Sequence, residues 1–334
     1  MPSTNSPIRR GSVLITVVWT IMLLSLLAAS LGSRQVFALS LVQRVEQDLQ
    51  AFYIATAAVQ QAITLLQQEV FPKADGFSDP WANNQAAFAD RVFDPGTYTI
   101  GDTVIQGGVP SMRYGLVDEE RRLNLNTVSA TIIARLLEQV GQMREDEART
   151  VADSIVDWRD EDQEAGERGA EDFYYLGLDR AYECKDAPFE NVEELRLIRG
   201  MTPEVYDRVA PFVTVYGSGG VNVNTAGVEV LRALGFTEEG VNGVVFFRAG
   251  EDNAEGTADD RVVVALTALV MELGAYLPKE DLNQVTQLLQ DGVLTVDAQA
   301  FRMTIEARVA DGKHPLRVEA VVTRDGDIAL WRES

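Results

Sequence analysis

Histidine and cysteine are almost missing from this chain of 334 residues, which holds one of each, His314 and Cys184. A lone thiol forms no internal disulfide and no cysteine-rich zinc site, and a lone imidazole forms no multi-histidine metal centre and few catalytic triads. Cations are scarce as well. Lys and Arg number 29 against 51 Asp and Glu, a formal charge of −22, and such a surplus repels the phosphate backbone that clustered cations must neutralise. Nucleic acid is therefore a poor partner. Gly-x-Ser-x-Gly, a phosphate loop and a zinc helix motif are all absent, which removes the commonest hydrolase and nucleotide chemistries. What is present is a globular composition, 46% hydrophobic and 24% charged, long enough for one large or two to three ordinary domains.

Two further absences define the N-terminus. No ionisable side chain occurs between Arg10 and Arg34, and no proline between Ser12 and Gln68. The apolar run from Ser12 to Gly32 would cover about 31 Å as a helix, the thickness of a bilayer's hydrocarbon. Arg9 and Arg10 precede it and the first acid is Glu46, so the positive-inside rule keeps the short N-terminus in the cytoplasm and sends the rest across. With two cations and no acid in residues 1–33, the exported part carries 27 Lys and Arg against 51 acids, a formal −24. A cleaved signal peptide begins the same way, and Ala28-Ala29-Ser30 is a possible cleavage site, but its apolar core runs to only about 7–15 residues. Here Val45, Leu49, Phe52, Thr56, Val59, Ile63 and Leu66 continue with 4-3-4-3-4-3 spacing, the stripe of a helix packed by one face onto a domain. A polar leader ending in Arg9-Arg10-Gly11, followed by such a helix, resembles the type IV pilin-like proteins. The resemblance implies cleavage by prepilin peptidase between Gly11 and Ser12, methylation of Ser12, and a glutamate at the fifth mature position, where this chain has Thr16.

After a loop-rich section from Phe71 to Pro95, short strands are predicted at Thr97–Ile100 and Arg113–Val117, and Asp118–Arg122 reads as a turn into Leu123-Asn124-Leu125-Asn126-Thr127. A near-copy, Val221-Asn222-Val223-Asn224-Thr225, follows 98 residues later. Thr127 and Thr225 are each predicted to cap a following helix, so strand, helix, turn and helix form an internal repeat. Between the copies, Val192–Val209 predicts a helix, a tight turn at Arg199-Gly200-Met201-Thr202 and a second helix opening at Thr202-Pro203. It resembles a helix-hairpin-helix unit, for which DNA binding is the functional reading and scaffold the structural one. Arg196, Arg199 and Arg208 are offset by Glu190, Glu193, Glu194, Glu204 and Asp207, which favours scaffold.

An acidic cluster follows each copy of the repeat. Asp157 to Asp172 places eight carboxylates in sixteen residues, a repulsion that a hard divalent cation with six to eight oxygen ligands would offset. Asp160 and Asp162 have the opening spacing of a calcium loop, whose position 6 is Ala165 and position 12 Glu171, so an EF-hand is not matched and a looser site is expected. Asp157, Asp160, Asp162, Glu171 and Asp172 are the candidate calcium ligands, the alternative being a solvated charge run. Glu251–Asp260 is a second such patch. Paired acids also serve glycoside hydrolysis, but the nearby Trp158, Phe173, Tyr174 and Tyr175 read as packing rather than as a sugar platform. Cys184 reads as a small buried hydrophobe and His314 as a surface residue.

At the C-terminus Phe301–Val309, Leu316–Val322 and Ile328–Trp331 alternate as strands around turns at Asp311–Lys313 and Asp325-Gly326. A sheet begun before residue 127 and finished after 300 makes the helical middle an insertion. The order of the leader, Thr16, the Leu-Asn-Leu-Asn strand, Asp157-Trp158, Gly169–Tyr175, Pro188-Phe189, the Arg199–Thr202 turn, Val221–Thr225 and Trp331-Arg332-Glu333 resembles the general secretion pathway protein K family. The resemblance implies an α+β, pilin-like fold. A leader occupies 1–11, the transmembrane half of the helix 12–33, the rest of the helix and the first strands 34–126, a helical insert with helix-hairpin-helix-like units 127–285, and the closing strands 286–334. It also implies a non-enzymatic minor pseudopilin capping the type II secretion pseudopilus from the inner membrane, with its C-terminal domain periplasmic. Its partners would be the I and J minor pseudopilins, the major pseudopilin, prepilin peptidase and inner membrane lipid. Calcium is expected in the insert and no nucleic acid. The alternative is a membrane-anchored helix-hairpin-helix protein for DNA uptake.

Overall fold

The computed structural model describes residues 10–68, 74–106, 109–310, 312 and 314–334, so the leader up to Arg9 and two residues of the turn at 311–313 lie outside the described residues. Helix α1, Arg10–Gln68, runs unbroken for 59 residues, as a proline-free stretch with one interior glycine permits. Its first part, Val13–Leu31, has a mean hydropathy of 2.3 and none of it is buried by the rest of the chain. Within it Thr20 donates to the Thr16 carbonyl at 2.7 Å, which satisfies the hydroxyl inside the helix. The later part is half buried and packs on protein.

The packed face differs from the predicted one. Val59, Ile63 and Leu66 are buried, but Val45, Leu49 and Phe52 are exposed, and the stripe begins with Ala51, Ile54, Ala55, Ala58 and Ala62. The predicted stripe follows the larger residues, whereas alanines line much of the packed face. Their small size is what lets the helix lie close on the sheet.

That sheet is antiparallel, built from β1 Arg91–Phe93, β2 Gly96–Ile100, β5 Val117–Asp118, β10 Ala300–Val309, β11 Leu316–Thr323 and β12 Ile328–Glu333. The path runs β1-β2-β10-β11-β12, with β5 also on β10. Ile305 stands opposite Ile100 and Phe301 opposite Asp118, so strands from the two ends of the chain meet. Phe301, Met303, Ile305 and Ala307 point inward against α1, as do Val318, Ala320 and Val322, the alternation of a one-sided sheet. The strand predicted at Arg113–Val117 is divided. Arg113 ends β4, Val109–Arg113, which pairs only with β3, Asp102–Gln106, among the described residues. Leu116 then turns its amide to the Trp81 carbonyl at 2.8 Å before β5 begins.

Residues 123–296 form a second core. In its first half β6 Leu123–Asn124 is followed by α3 Ala130–Gln139 and α4 Glu145–Arg159, and later by α5 Asp172–Tyr175, α6 Pro203–Val209 and β7 Val213–Thr214, parallel to β6. In its second half β8 Val221–Asn222 is followed by α7 Val228–Ala233, α8 Glu238–Arg248, α9 Leu269–Leu273, α10 Lys279–Gln290 and β9 Leu294–Thr295, parallel to β8. A short helix, α2 Gln85–Phe88, precedes β1. The predicted helix at Val192–Leu197 is a 3-10 turn capped by Asn191, while Thr202 caps α6 through the Val205 amide.

The repeat extends to hydrogen bonds. Leu125 donates to the Thr214 carbonyl at 2.8 Å and Val223 to the Thr295 carbonyl at 3.0 Å. Asn124 and Asn222 each accept from the amide two residues on, at 2.9 and 3.0 Å. Asn126 holds Phe189 by donating to its carbonyl and accepting from its amide; Asn224 does the same to Val263. The caps differ from prediction. Both helices open two residues late, at Ser129 and Gly227, and the threonines dock segments instead: Thr127 donates to the Gly219 carbonyl at 2.8 Å and Thr225 to Asp118 at 2.5 Å.

Candidate functional site

The acidic loop begins where α4 stops. Ala148, Val151, Ala152, Ile155 and Trp158 bury one face of α4, and Arg159 closes it by donating to the carbonyls of Leu125 and Val128, the latter at 2.7 Å. Arg248 at the end of α8 makes the same pair of bonds to Val223 and Ala226, at 3.3 and 2.8 Å. Each acidic patch therefore leaves a helix from an arginine that is tied to its own repeat's asparagine strand.

Of the five candidate ligands, two carboxylates hold the loop. Asp157 is buried and accepts from the Gly166 amide at 3.1 and 3.2 Å. Gly169 packs so closely that a Cβ there would stand 1.8 Å from Asp157 Oδ2, so this position excludes any side chain. Asp172 accepts from the Cys184 amide at 2.7 Å. Behind them Trp158, Tyr175 and Tyr182 stack edge to face or tilted, with ring centroids 5.3 to 6.2 Å apart, and anchor the loop on the second core.

The other three, Asp160, Asp162 and Glu171, bring carboxylate oxygens within 4.8 Å of one another. Glu171 also meets Cys184 and Asp186 within that distance. Both oxygens of Glu171 and one each of Asp160 and Asp186 are buried with no hydrogen-bond partner. Buried oxygens left without donors cost free energy. Burial first, then repulsion from Asp157, Asp186 and Asp160, push the Glu171 carboxyl up to about 7. Burial raises Asp160 as well, with Asp162 and Asp157 adding to it. Burial pushes the Cys184 thiol up, so it stays protonated and is a poor ligand for a soft metal. The donors that remain are carboxylate oxygens around a concentrated negative charge, the set that a hard divalent ion such as calcium takes. Asp186 was not among the predicted ligands; it lies in a separate segment, and no spacing in the sequence connects it to the loop.

The second patch is built differently. Asp259 accepts from the amides of Glu251 and Asp252 at 2.6 and 3.1 Å, Asp260 from Gly256 at 2.7 Å and Asp252 from Ala254 at 2.8 Å. Glu255 pairs with the buried Arg248 at 2.6 Å. Asp252, Asp259 and Asp260 are thereby consumed in shaping the loop.

Where the second core meets the sheet, three consecutive acids are buried. Asp118 accepts from Glu120 N at 2.7 Å, Asn222 Nδ2 at 2.9 Å and Thr225 Oγ1 at 2.5 Å. Glu120 accepts from the amides of Ser218 and Ala300. Glu119 is held down to about 2, because Arg122 and Arg302 outweigh the effect of burial. The arginines of the hairpin are occupied too. Arg196 pairs with Asp207 at 3.3 Å and lies over Tyr206, Arg199 donates to the Gly169 carbonyl and Arg208 to that of Gly141, both at 2.9 Å.

Three comparisons bear on this architecture. The family model for type II secretion system (T2SS), protein K, matches residues 116–218, which run from β5 through the acidic loop to the segment before β8. The chain is 30% identical over 235 residues to type II secretion system protein K of Pseudomonas aeruginosa, covering 68% of each. It is 27% identical over 344 residues to that of Aeromonas hydrophila, covering 99% of this chain and 97% of the relative. In fold it is similar to a chain of the crystal structure of the GspK-GspI-GspJ complex from the enterotoxigenic Escherichia coli type 2 secretion system, with a TM-score of 0.66, 19% identity, and coverage of 87% of this chain and 99% of that one.

Proposed function

This chain belongs to the type II secretion system protein K family of minor pseudopilins, and from that premise we propose that it ends the pseudopilus as a non-enzymatic cap. The observation that carries the proposal is the division of α1. Its exposed apolar part, Val13–Leu31, suits a lipid anchor and then a bundle of partner helices, while the part from Ala51 to Leu66 is already covered by the chain's own sheet. A second core inserted between β5 and β10 makes the head bulky, and a bulky head blocks the addition of a further subunit above it. Thr16 fits the same position, since a subunit with no neighbour above has no amine for a glutamate there to pair with.

In this reading prepilin peptidase cuts between Gly11 and Ser12, the helix sits in the inner membrane lipid, and residues beyond it fold in the periplasm. The insert of 127–285, whose helix-hairpin-helix-like units act as scaffold, interrupts a pilin-like core. Partners are the I and J minor pseudopilins, by analogy with the complex named for the similar structure, and the major pseudopilin below. Asp160, Asp162 and Glu171, with Asp186, would hold calcium inside a loop folded by Asp157 and Asp172, and the ion would supply the positive charge that this loop lacks. The occupied hairpin arginines weigh against the DNA-uptake reading.

Co-expression of the full chain with the I and J pseudopilins of its own system tests this. A detergent-solubilised complex with one copy of each is expected by light scattering, and mass spectrometry of this subunit should give a methylated Ser12. A chain that elutes alone, or one beginning near Ser30 or Leu31, would overturn the reading.

A further inference from the structure

In a chain with 51 acids against 29 cations, some arginines still have neither an acid nor a backbone carbonyl as partner. Two of them face one cavity. It encloses about 320 Å3 between the β3–β4 hairpin, the turn after β5 and the second acidic loop, and its walls include Phe77, Asn83, Ser111, Arg113, Arg121 and Glu255. Among the described residues, neither Arg113 nor Arg121 forms an ion pair or a side-chain hydrogen bond. The acids nearest in effect are spoken for. Asp118 gives both oxygens to Glu120, Asn222 and Thr225, and Asp102 pairs with Arg317 at 3.5 Å and accepts from Thr304 at 3.1 Å. Glu255, the one carboxylate on the cavity wall, is paired with Arg248. Phe77 carries two guanidinium groups, Arg121 and Arg248, each 5.7 Å from its ring centroid, and Arg248 Nε is buried with no partner. Positive charge is thus concentrated here beyond what the fold neutralises.

We propose that this cavity is an oxyanion site, in which the forked N–H edges of Arg121 and Arg113 take a carboxylate and Ser111 and Asn83 supply neutral hydrogen bonds. Guanidinium matches a carboxylate with two parallel bonds, and a partly desolvated pair is stronger than one in water. Burial, with Arg113 and Arg122 nearby, pushes Arg121 down to about 10, the direction that an arriving anion reverses. The volume admits a small dicarboxylate or a single acidic side chain of a docking protein. These share one chemistry and differ in source.

Calorimetric titration of the full chain in detergent separates the two, at fixed ionic strength with chloride as the balancing anion. One probe is succinate; the other is N-acetyl-glycyl-glutamyl-glycinamide, which carries its carboxylate on a peptide. Saturable binding of either, weakened roughly tenfold or more in Arg121→Gln, supports the site, and the tighter probe identifies the source. Ser111→Glu places a tethered carboxylate on the exposed rim, and is expected to raise the melting temperature and to abolish binding of both probes. Arg121→Gln removes an unpaired charge, so without probe it should melt no lower than the parent. Absence of saturable binding by both probes, binding that Arg121→Gln and Arg113→Gln leave unchanged, or a lower melting temperature for Arg121→Gln without probe would each overturn the proposal.

Discussion

Asp118 joins the sheet to the inserted core, and its proton sets a pH dependence that can be worked through. Burial first, and Glu120 second, push its carboxyl up to about 8 from an ordinary 3.8. Between those values the folded chain keeps a proton that the unfolded chain has released, so the contribution to stability is full below the unfolded value and is lost as pH rises through the folded one. At about 1.4 kcal/mol per unit the whole window would amount to roughly 5–6 kcal/mol. Asp118 and Glu120 titrate as a pair, and sharing of the proton brings our expectation to about 3 kcal/mol. Glu119, depressed to about 2, acts in the opposite sense but only at pH values below its ordinary 4.5, outside this window. The test is urea unfolding of the full chain at about pH 5.5 and about pH 8, followed by fluorescence of the buried Trp81 and Trp158. Asp118 should cost the parent about 2 kcal/mol across the interval. Asp118→Asn should start about 1–2 kcal/mol lower, because its amide must face the Asn222 amide, and should lose about 2 kcal/mol less than the parent across the interval, since the raised Glu171 carboxyl titrates in both. Equal losses in the two proteins would refute the reasoning.

Other expectations concern the repeat and its acidic loop. Arg248→Ala strands the carbonyls of Val223 and Ala226 and leaves Glu255 unpaired, at a cost of about 3 kcal/mol; Arg248→Lys should recover little, since an ammonium cannot reproduce the fork, and a loss under about 1 kcal/mol would contradict the paired role of Arg159 and Arg248. Calcium at about a hundredfold excess over its dissociation constant should stabilise the chain by about 2.7 kcal/mol, seen as a higher melting temperature than in chelator. Glu171→Gln should erase that difference, and identical melts of the parent with and without chelator would remove calcium from the account. Gly169→Ala forces a Cβ into Asp157, so it should weaken the calcium response while leaving the sheet intact; an unchanged response would show that Asp157 does not shape the site.

What the sequence made legible follows from how local each signal is. Helix α1 and strands β10 to β12 could be read because absent prolines and a strict alternation act over neighbouring residues. The buried face of α1 is not legible in the sequence because its alanines are selected by closeness to the sheet, which large apolar residues do not reveal. Thr127 and Thr225 look like caps in sequence, yet Gly219 and Asp118 claim their hydroxyls from about a hundred residues away. The duplicated asparagine strands were visible as text, whereas the matched bonds of Arg159 and Arg248 were not, since the two lie at different distances from their strands. At the candidate calcium site the acidic loop announced itself by repulsion alone. The division into loop-holding carboxylates, Asp157 and Asp172, and partnerless ones, Asp160 and Glu171, depends on which amides the fold delivers, and Asp186 arrives from a segment that no spacing rule connects.

As a cap, this chain closes a filament rather than propagating it. Immunogold labelling of pseudopili from cells that produce a tagged full-length chain tests it most directly. Gold is expected at one end of each filament, whereas gold spaced along the filament shaft would show that the chain propagates it.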